Sequence, residues 1–133
     1  MSVRAYWQDE TKTIVRYDFD GEWDWNELYT AYYEAIAMEK SVEHRVDVIL
    51  DMRRGGRIPG NVLLHVKNFS DRQPPNIGLS VIVTENAFVH SLYKVGAKFY
   101  SKIGYYFRVA TTLEAADSMI ATDRARSAAM PLK

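Results

Sequence analysis

Asp51, Arg53, Arg54 and Arg57 lie within seven residues of one another, in the stretch VDVILDMRRGGRIPGN at positions 46–61. A carboxylate at the end of an apolar run can serve as an acid, a base or a magnesium ligand. It can equally pair with a neighbouring arginine or cap loop N–H groups. No second carboxylate is placed by sequence to share catalytic work, so no catalytic residue is assigned. The three guanidinium groups could clamp an anion bidentately, and glycines at 55, 56 and 60 would let backbone approach it at the start of the next helix. The site this predicts comprises Asp51, Arg53, Arg54, Gly56, Arg57, Gly60 and Asn61, for an anion or a protein partner, with Asn61 as the helix cap. The competing reading is that the glycines turn the chain and the arginines are simply solvated. GGRIPGN lacks the lysine followed by Ser or Thr that a phosphate loop requires.

The three histidines, His44, His65 and His90, have no spacing that puts two on one helical face, so no metal site is expected. His65 borders an apolar stripe of Val62, Val66 and Phe69. It is either a half-buried residue bonded to a backbone carbonyl or part of a pocket facing the arginines. Tyr29, Tyr32 and Tyr33 cover more than one face of their helix, which leaves three uses open: a homodimer patch, amphipathic packing with the hydroxyls in water, or the lining of a pocket for a lipid-like ligand.

The elements that must position these groups follow from hydrophobic spacing. Val3, Ala5 and Trp7, then Val15, Tyr17 and Phe19, alternate with polar residues across a DETK turn, the pattern of a hairpin. GEWDWNEL holds a helix start, with Asp24 as cap, Glu27 completing a capping box and Trp23 stapling onto Leu28. Leu28, Tyr32, Ala35 and Ile36 form the inward stripe of that helix, and Glu27, Glu34 and Glu39 are expected to face water. The run Val46, Val48, Ile49, Leu50 reads as a central strand covered on both faces, with Asp47 solvated near its entry. The loop 53–60 precedes a helix that SDRQPPN ends. IGLSVIV is a further buried strand. Asn86 caps a helix whose Phe88, Leu92, Val95 and Phe99 share one face and which closes at 102–104; Tyr106 to Ala110 is the last strand, and Thr111 with Glu114 opens a final helix carrying Leu113, Ala116 and Ile120.

The order is ββαβαβαβα, an α/β fold with a mixed five-stranded sheet, four helices and the hairpin at one edge. In such sheets ligands gather at the carboxyl ends of the strands, where the arginine segment lies. The chain has 133 residues, 47% of them hydrophobic, with 17 Lys+Arg against 17 Asp+Glu. That suits one domain, assigned to 1–126 with a flexible tail at 127–133. Zero net charge removes the field that draws proteins to nucleic acid, so no nucleic-acid partner is expected. No cysteine excludes disulfides and thiolate chemistry and agrees with a reducing compartment. MSVRAYWQDE has no apolar leader and no stretch approaches ~18 apolar residues, so the expectation is a cytoplasmic protein without a membrane span.

The element order, the VILDM strand ending near Asp51 and the terminal TTLEAADSMI helix together resemble the STAS domain, named for sulfate transporters and anti-sigma-factor antagonists. The likeness implies a regulatory module that meets a protein partner at the start of the helix after the central strand, where the family carries a phosphorylated serine or threonine in an Asp-Ser-Ser-Gly type sequence. Here the matching positions are Pro59, Gly60, Asn61 and Val62. No Ser, Thr or Tyr occurs from Val42 to Phe69, so the phosphorylation switch does not carry over. The reading that results is a non-enzymatic STAS-like protein-interaction or regulatory module without a cofactor, its partner another protein or a second copy. The alternative is a domain that binds or senses a small anion or an apolar, lipid-like ligand. An enzyme using Asp51 and His65 for proton transfer is the third possibility.

Overall fold

The computed structural model describes residues 2–129. Five strands form one sheet in the order β1 (Val3–Trp7), β2 (Ile14–Gly21), β3 (Val46–Gly55), β4 (Ile77–Val83), β5 (Phe107–Ala110). The first pair is antiparallel and the other three pairings are parallel, so β3 is the central strand. Five helices accompany them: α1 (Trp25–Lys40), α2 (Val62–Asp71), α3 (Ala87–Phe99), α4 (Ser101–Tyr106) and α5 (Leu113–Ala129).

The count of five helices, against four expected, comes from Tyr100. Its extended backbone (φ −128°, ψ 102°) breaks the predicted third helix in two. Of the expected tail, Ser127 to Ala129 are the last turn of α5, and 130–133 lie outside the described residues. Among the described residues no helix is long and apolar enough to cross a membrane.

Strand order that matches chain order requires every crossover to advance in the same direction, and right-handed crossovers then stack their helices on one face. The apolar residues divide accordingly. Val46 and Val48, with Leu50 and Met52, pack with α1, α2 and Phe107 in one core, while Ile49, Leu79, Val81 and Val83 pack with Ala116 and Ile120 of α5 in another. α5 covers only β3 to β5. The outer face of β1, β2 and the end of β3 therefore stays open.

Local sequence explains the helix ends. The Asp24 side chain accepts from the Glu27 N–H at 2.9 Å, and Asn86 accepts from Phe88 N–H at 2.9 Å. At α5 it is Thr112, one residue later than expected, whose hydroxyl accepts from Ala115 N–H at 3.0 Å. Asn61 does not cap α2 with its side chain; it sits in the left-handed region (φ 65°) and makes the turn into the helix, a conformation Asn tolerates better than other side chains.

Two predicted surfaces are reversed. Asp47 is fully buried rather than solvated, because it accepts from Arg45 Nη2 at 2.7 Å, Arg124 Nε at 2.6 Å and the Leu79 N–H at 2.7 Å, tying the start of β3 to α5 and β4. On α3, Phe88 is 61% exposed, Val95 46% and Phe99 70%, so the shared apolar stripe faces solvent except at the half-buried Leu92. The buried stripe is Val89 and Gly96. A Cβ at Gly96 would stand 2.9 Å from Leu63 Cδ2 and 3.4 Å from Ile103 Cδ1, and its absence lets α2 and α4 close onto that side.

Candidate functional site

The arginine segment divides into two parts. β3 continues to Gly55, so Arg53 and Arg54 are strand residues and only 56–61 form the loop. An irregularity opposes Asp18 and Asp20 of β2 to Asp51 and Arg54 of β3. It brings Arg53 and Arg54 to a polar pocket of about 360 Å³ on the open sheet face, shared with Arg4, Arg16, Asp18, Asp20 and Asp51.

The charges there satisfy one another. Arg53 grips Asp51 with two bonds, Nε to Oδ1 at 2.9 Å and Nη2 to Oδ2 at 2.8 Å, and Arg16 reaches Asp51 at 3.4 Å. The hydrogen bonds and charge of Arg53 hold the Asp51 carboxyl below its usual range despite partial burial. Arg54 pairs with Asp20 at 3.3 Å, both well exposed, and Arg4 with Asp18 at 3.6 Å. One donor is left over: Arg16 Nε is buried and has no hydrogen-bond partner. Gly56, Arg57, Gly60 and Asn61 lie apart from this network along the way to α2, and Arg57 has no ion-pair partner among the described residues. Gly56 has a packing reason to be glycine: a Cβ there would meet Glu22 Oε1 at 2.5 Å. The consecutive strand order also gives the parallel strands no reversal point, which is where α/β sheets of other topology open a crevice.

His65 is on the opposite, helix-covered side of the sheet from Asp51, so the two are not placed to share a proton. Its Nδ1 lies 2.8 Å from the Tyr29 hydroxyl, in place of the expected carbonyl, and its ring stacks on Trp25 at 4.1 Å. Trp25 Nε1 in turn donates to Gly60 O at 2.7 Å. The first turns of α1 thereby fix the loop and the start of α2. His44 and His90 are each within bonding distance of a carbonyl, Lys12 O at 2.7 Å and Thr84 O at 2.9 Å. Among the described residues no group of three His, Asp or Glu side chains is arranged to hold a metal ion.

The feature that sequence spacing did not show is a cavity between the sheet and the helix layer. Its floor is Tyr17, Phe19, Val48, Leu50, Ser80 and Ile82. Its roof comes from Trp23, Trp25, Leu28 and Tyr32 on the α1 side and Val62, Val66 and Phe69 of α2. α2 is held to α1 by ring contacts such as Tyr32 with Phe69 (4.7 Å) and by the Tyr32 hydroxyl donating to Phe69 O at 3.1 Å. The volume is about 80 Å³, several times the ~15 Å³ that one water needs.

One acid belongs to this wall. Glu39 is 2% exposed, and its Oε1 has no hydrogen-bond partner. Burial pushes its carboxyl up to about 8, so the group is neutral at physiological pH. The expectation that Glu39 faces water is thus overturned. Leu28, Tyr32, Ala35 and Glu39 follow one another at intervals of four, three and four, which sets Glu39 on the buried stripe. That spacing was the available signal. Trp23 Nε1 is a second buried polar atom without a partner in the same wall.

No family model, curated protein or solved structure matches the chain.

Proposed function

We propose that the protein is a STAS-like module that binds a small apolar ligand between its sheet and helices α1 and α2, as a carrier or sensor rather than as an enzyme. The observation that carries this reading is the cavity itself, an apolar chamber with a buried carboxyl that has no hydrogen-bond partner in its wall. Proteins rarely leave such a group without a partner unless something else supplies one. The void costs stability that a ligand would restore, and the aromatic clamp of Trp25, His65 and Tyr29 sets the position of the loop beside it. The STAS likeness rests on element order and on the antiparallel hairpin at the edge of a parallel sheet. A cytoplasmic location rests on the absence of cysteine.

Docking of a protein or an anion at 53–62 is the weaker reading, since Arg53 and Arg54 are already occupied by Asp51 and Asp20. The test is native mass spectrometry of the protein purified from cells, followed by titration of the solvent-extracted protein with an apolar fluorophore. A non-covalent adduct lost on extraction, with the fluorophore then taking its place, is the expected result. Absence of any adduct together with failure to bind the fluorophore would rule the reading out.

A further inference from the structure

Helix α3 presents both an apolar stripe and a row of cations to solvent. Phe88, Leu92, Val95 and Phe99 recur at intervals of four, three and four, which keeps them on one face, and all but the half-buried Leu92 are exposed. The two phenyl rings lie about 16 Å apart along the axis at 1.5 Å per residue. Leu64 of α2, which follows the Leu63 that packs at Gly96, is exposed as well, as are Tyr100 and Tyr105 around α4.

Lysines flank that stripe. Lys94 and Lys98 stand one turn apart on the neighbouring exposed strip of α3, and neither has an ion-pair partner among the described residues. Lys98 lies 5.9 Å from the centre of the Phe99 ring, so charge borders the apolar surface directly. Lys102 of α4 is exposed and shares Asp71 of α2 with Lys67. From Asn86 to Leu113 the chain holds no Asp or Glu, in a protein whose charges otherwise balance. The acid that borders this segment is Glu85, just before α3.

Exposed phenyl rings beside unpaired lysines and tyrosines are complementary to an apolar interior under a layer of negative head groups. Phenyl rings enter the acyl boundary, tyrosine rings settle at head-group level, and lysines reach phosphates on flexible stems. A second copy of the chain fits this face poorly. A two-fold contact sets the same patch against itself, which gathers Lys94 and Lys98 of both copies around one seam with no acid of the segment to answer them.

We propose that α3 is a membrane-docking helix, which lays Phe88, Val95 and Phe99 into the surface of an anionic lipid bilayer while Lys94, Lys98 and Lys102 bind its phosphates. None of these residues lines the chamber, so the assignment stands apart from the cavity reading. A helix of 13 residues with one apolar stripe binds reversibly, and apolar and electrostatic attraction must act together.

The experiment is flotation of the purified protein with phosphatidylcholine vesicles, with and without roughly one-third phosphatidylserine. Each lysine close to an anionic surface is worth about fivefold, so partitioning onto the anionic vesicles should exceed that onto neutral ones by at least ~10-fold at about 0.1 M salt, and collapse at about 0.5 M. Lys94→Gln with Lys98→Gln should lower it at least ~10-fold, whereas Arg54→Gln with Arg126→Gln, which removes equal charge from other faces, should leave it within about 2-fold. Phe88→Ser with Phe99→Ser should abolish partitioning while the circular dichroism spectrum stays that of the wild type, since both rings are exposed. No partitioning onto anionic vesicles, equal partitioning onto both kinds, or a loss as large in the arginine variant as in the lysine variant would overturn the proposal. So would a wild-type dimer in analytical ultracentrifugation that the phenylalanine variant dissociates, because a second copy would then cover the stripe.

Discussion

Replacing Glu39 by Gln should make the free protein more stable at neutral pH, and the size of the gain follows from the carboxyl's position. In the unfolded chain the group titrates near 4.5, and burial raises it to about 8 in the fold. The folded state therefore keeps a proton that the unfolded chain gives up. The stabilisation is complete below about pH 4.5 and falls as pH rises, by roughly 1.4 kcal/mol per unit, until it levels off near pH 8. At pH 7 the wild type has lost about 3 kcal/mol relative to acid. Gln is close to the neutral acid in shape and does not titrate, so the difference between variant and wild type should be about 1 kcal/mol at pH 5 and approach about 3 kcal/mol at pH 7. Urea denaturation followed by tryptophan fluorescence across pH 5–9 measures it. Taking the difference cancels groups common to both proteins, including Asp51 and Asp71, which their basic neighbours hold low and whose contributions change only in stronger acid. A difference that stays constant from pH 5 to 8 would show that Glu39 is hydrated or paired, and would leave the chamber without its unpaired carboxyl.

Three other outcomes follow. Val66→Phe should fill part of the chamber, abolishing binding of apolar probes while leaving urea stability within about 2 kcal/mol of wild type, since filling the void offsets overpacking. Asp47→Ala should cost about 3 kcal/mol by the same assay, because it strands the Leu79 N–H and removes the shared partner of Arg45 and Arg124; both arginines are partly exposed and can rehydrate, which keeps the loss at the lower end for a buried pair. Phe88→Ser with Phe99→Ser should shift the melting temperature by no more than a few degrees, as both rings already face water.

Much of the scaffold was legible because its signals are local. Asp24 and Asn86 are caps with a mechanism, IGLSVIV is bounded by prolines on one side and a helix cap on the other, and an apolar run around Ile49 can only be a strand covered twice. The errors share a cause: periodicity reports which residues share a face, and tertiary packing decides which face turns inward. On α3 the small Gly96, not the large Phe88 and Phe99, marks the inner side, since close approach of Leu63 and Ile103 needs the space. Asp47 looked solvated because its partner Arg124 is 77 residues away. The pairing of Asp51 with a neighbouring arginine was readable and is made by Arg53, whereas Asp20, the partner of Arg54, lies on β2 and is brought level only by strand pairing. Glu39 is the instructive case, because the spacing placed it on the buried stripe while its charge argued for water. Of the cavity, sequence offered only the option that Tyr29, Tyr32 and Tyr33 line a pocket; Tyr32 does so, and the other walls, from β2, β3, β4 and α2, come together only through tertiary packing.

The most direct test of the central claim is where a small apolar ligand sits. Methyl-labelled protein titrated with butanol and followed by NMR should show shifts at Val48, Leu50, Ile82 and Val66, which line the chamber, and none at Val83 or Ile120 beneath α5. Shifts confined to Val95 and Leu64 on the exposed helix faces, with the chamber methyls unchanged, would contradict it.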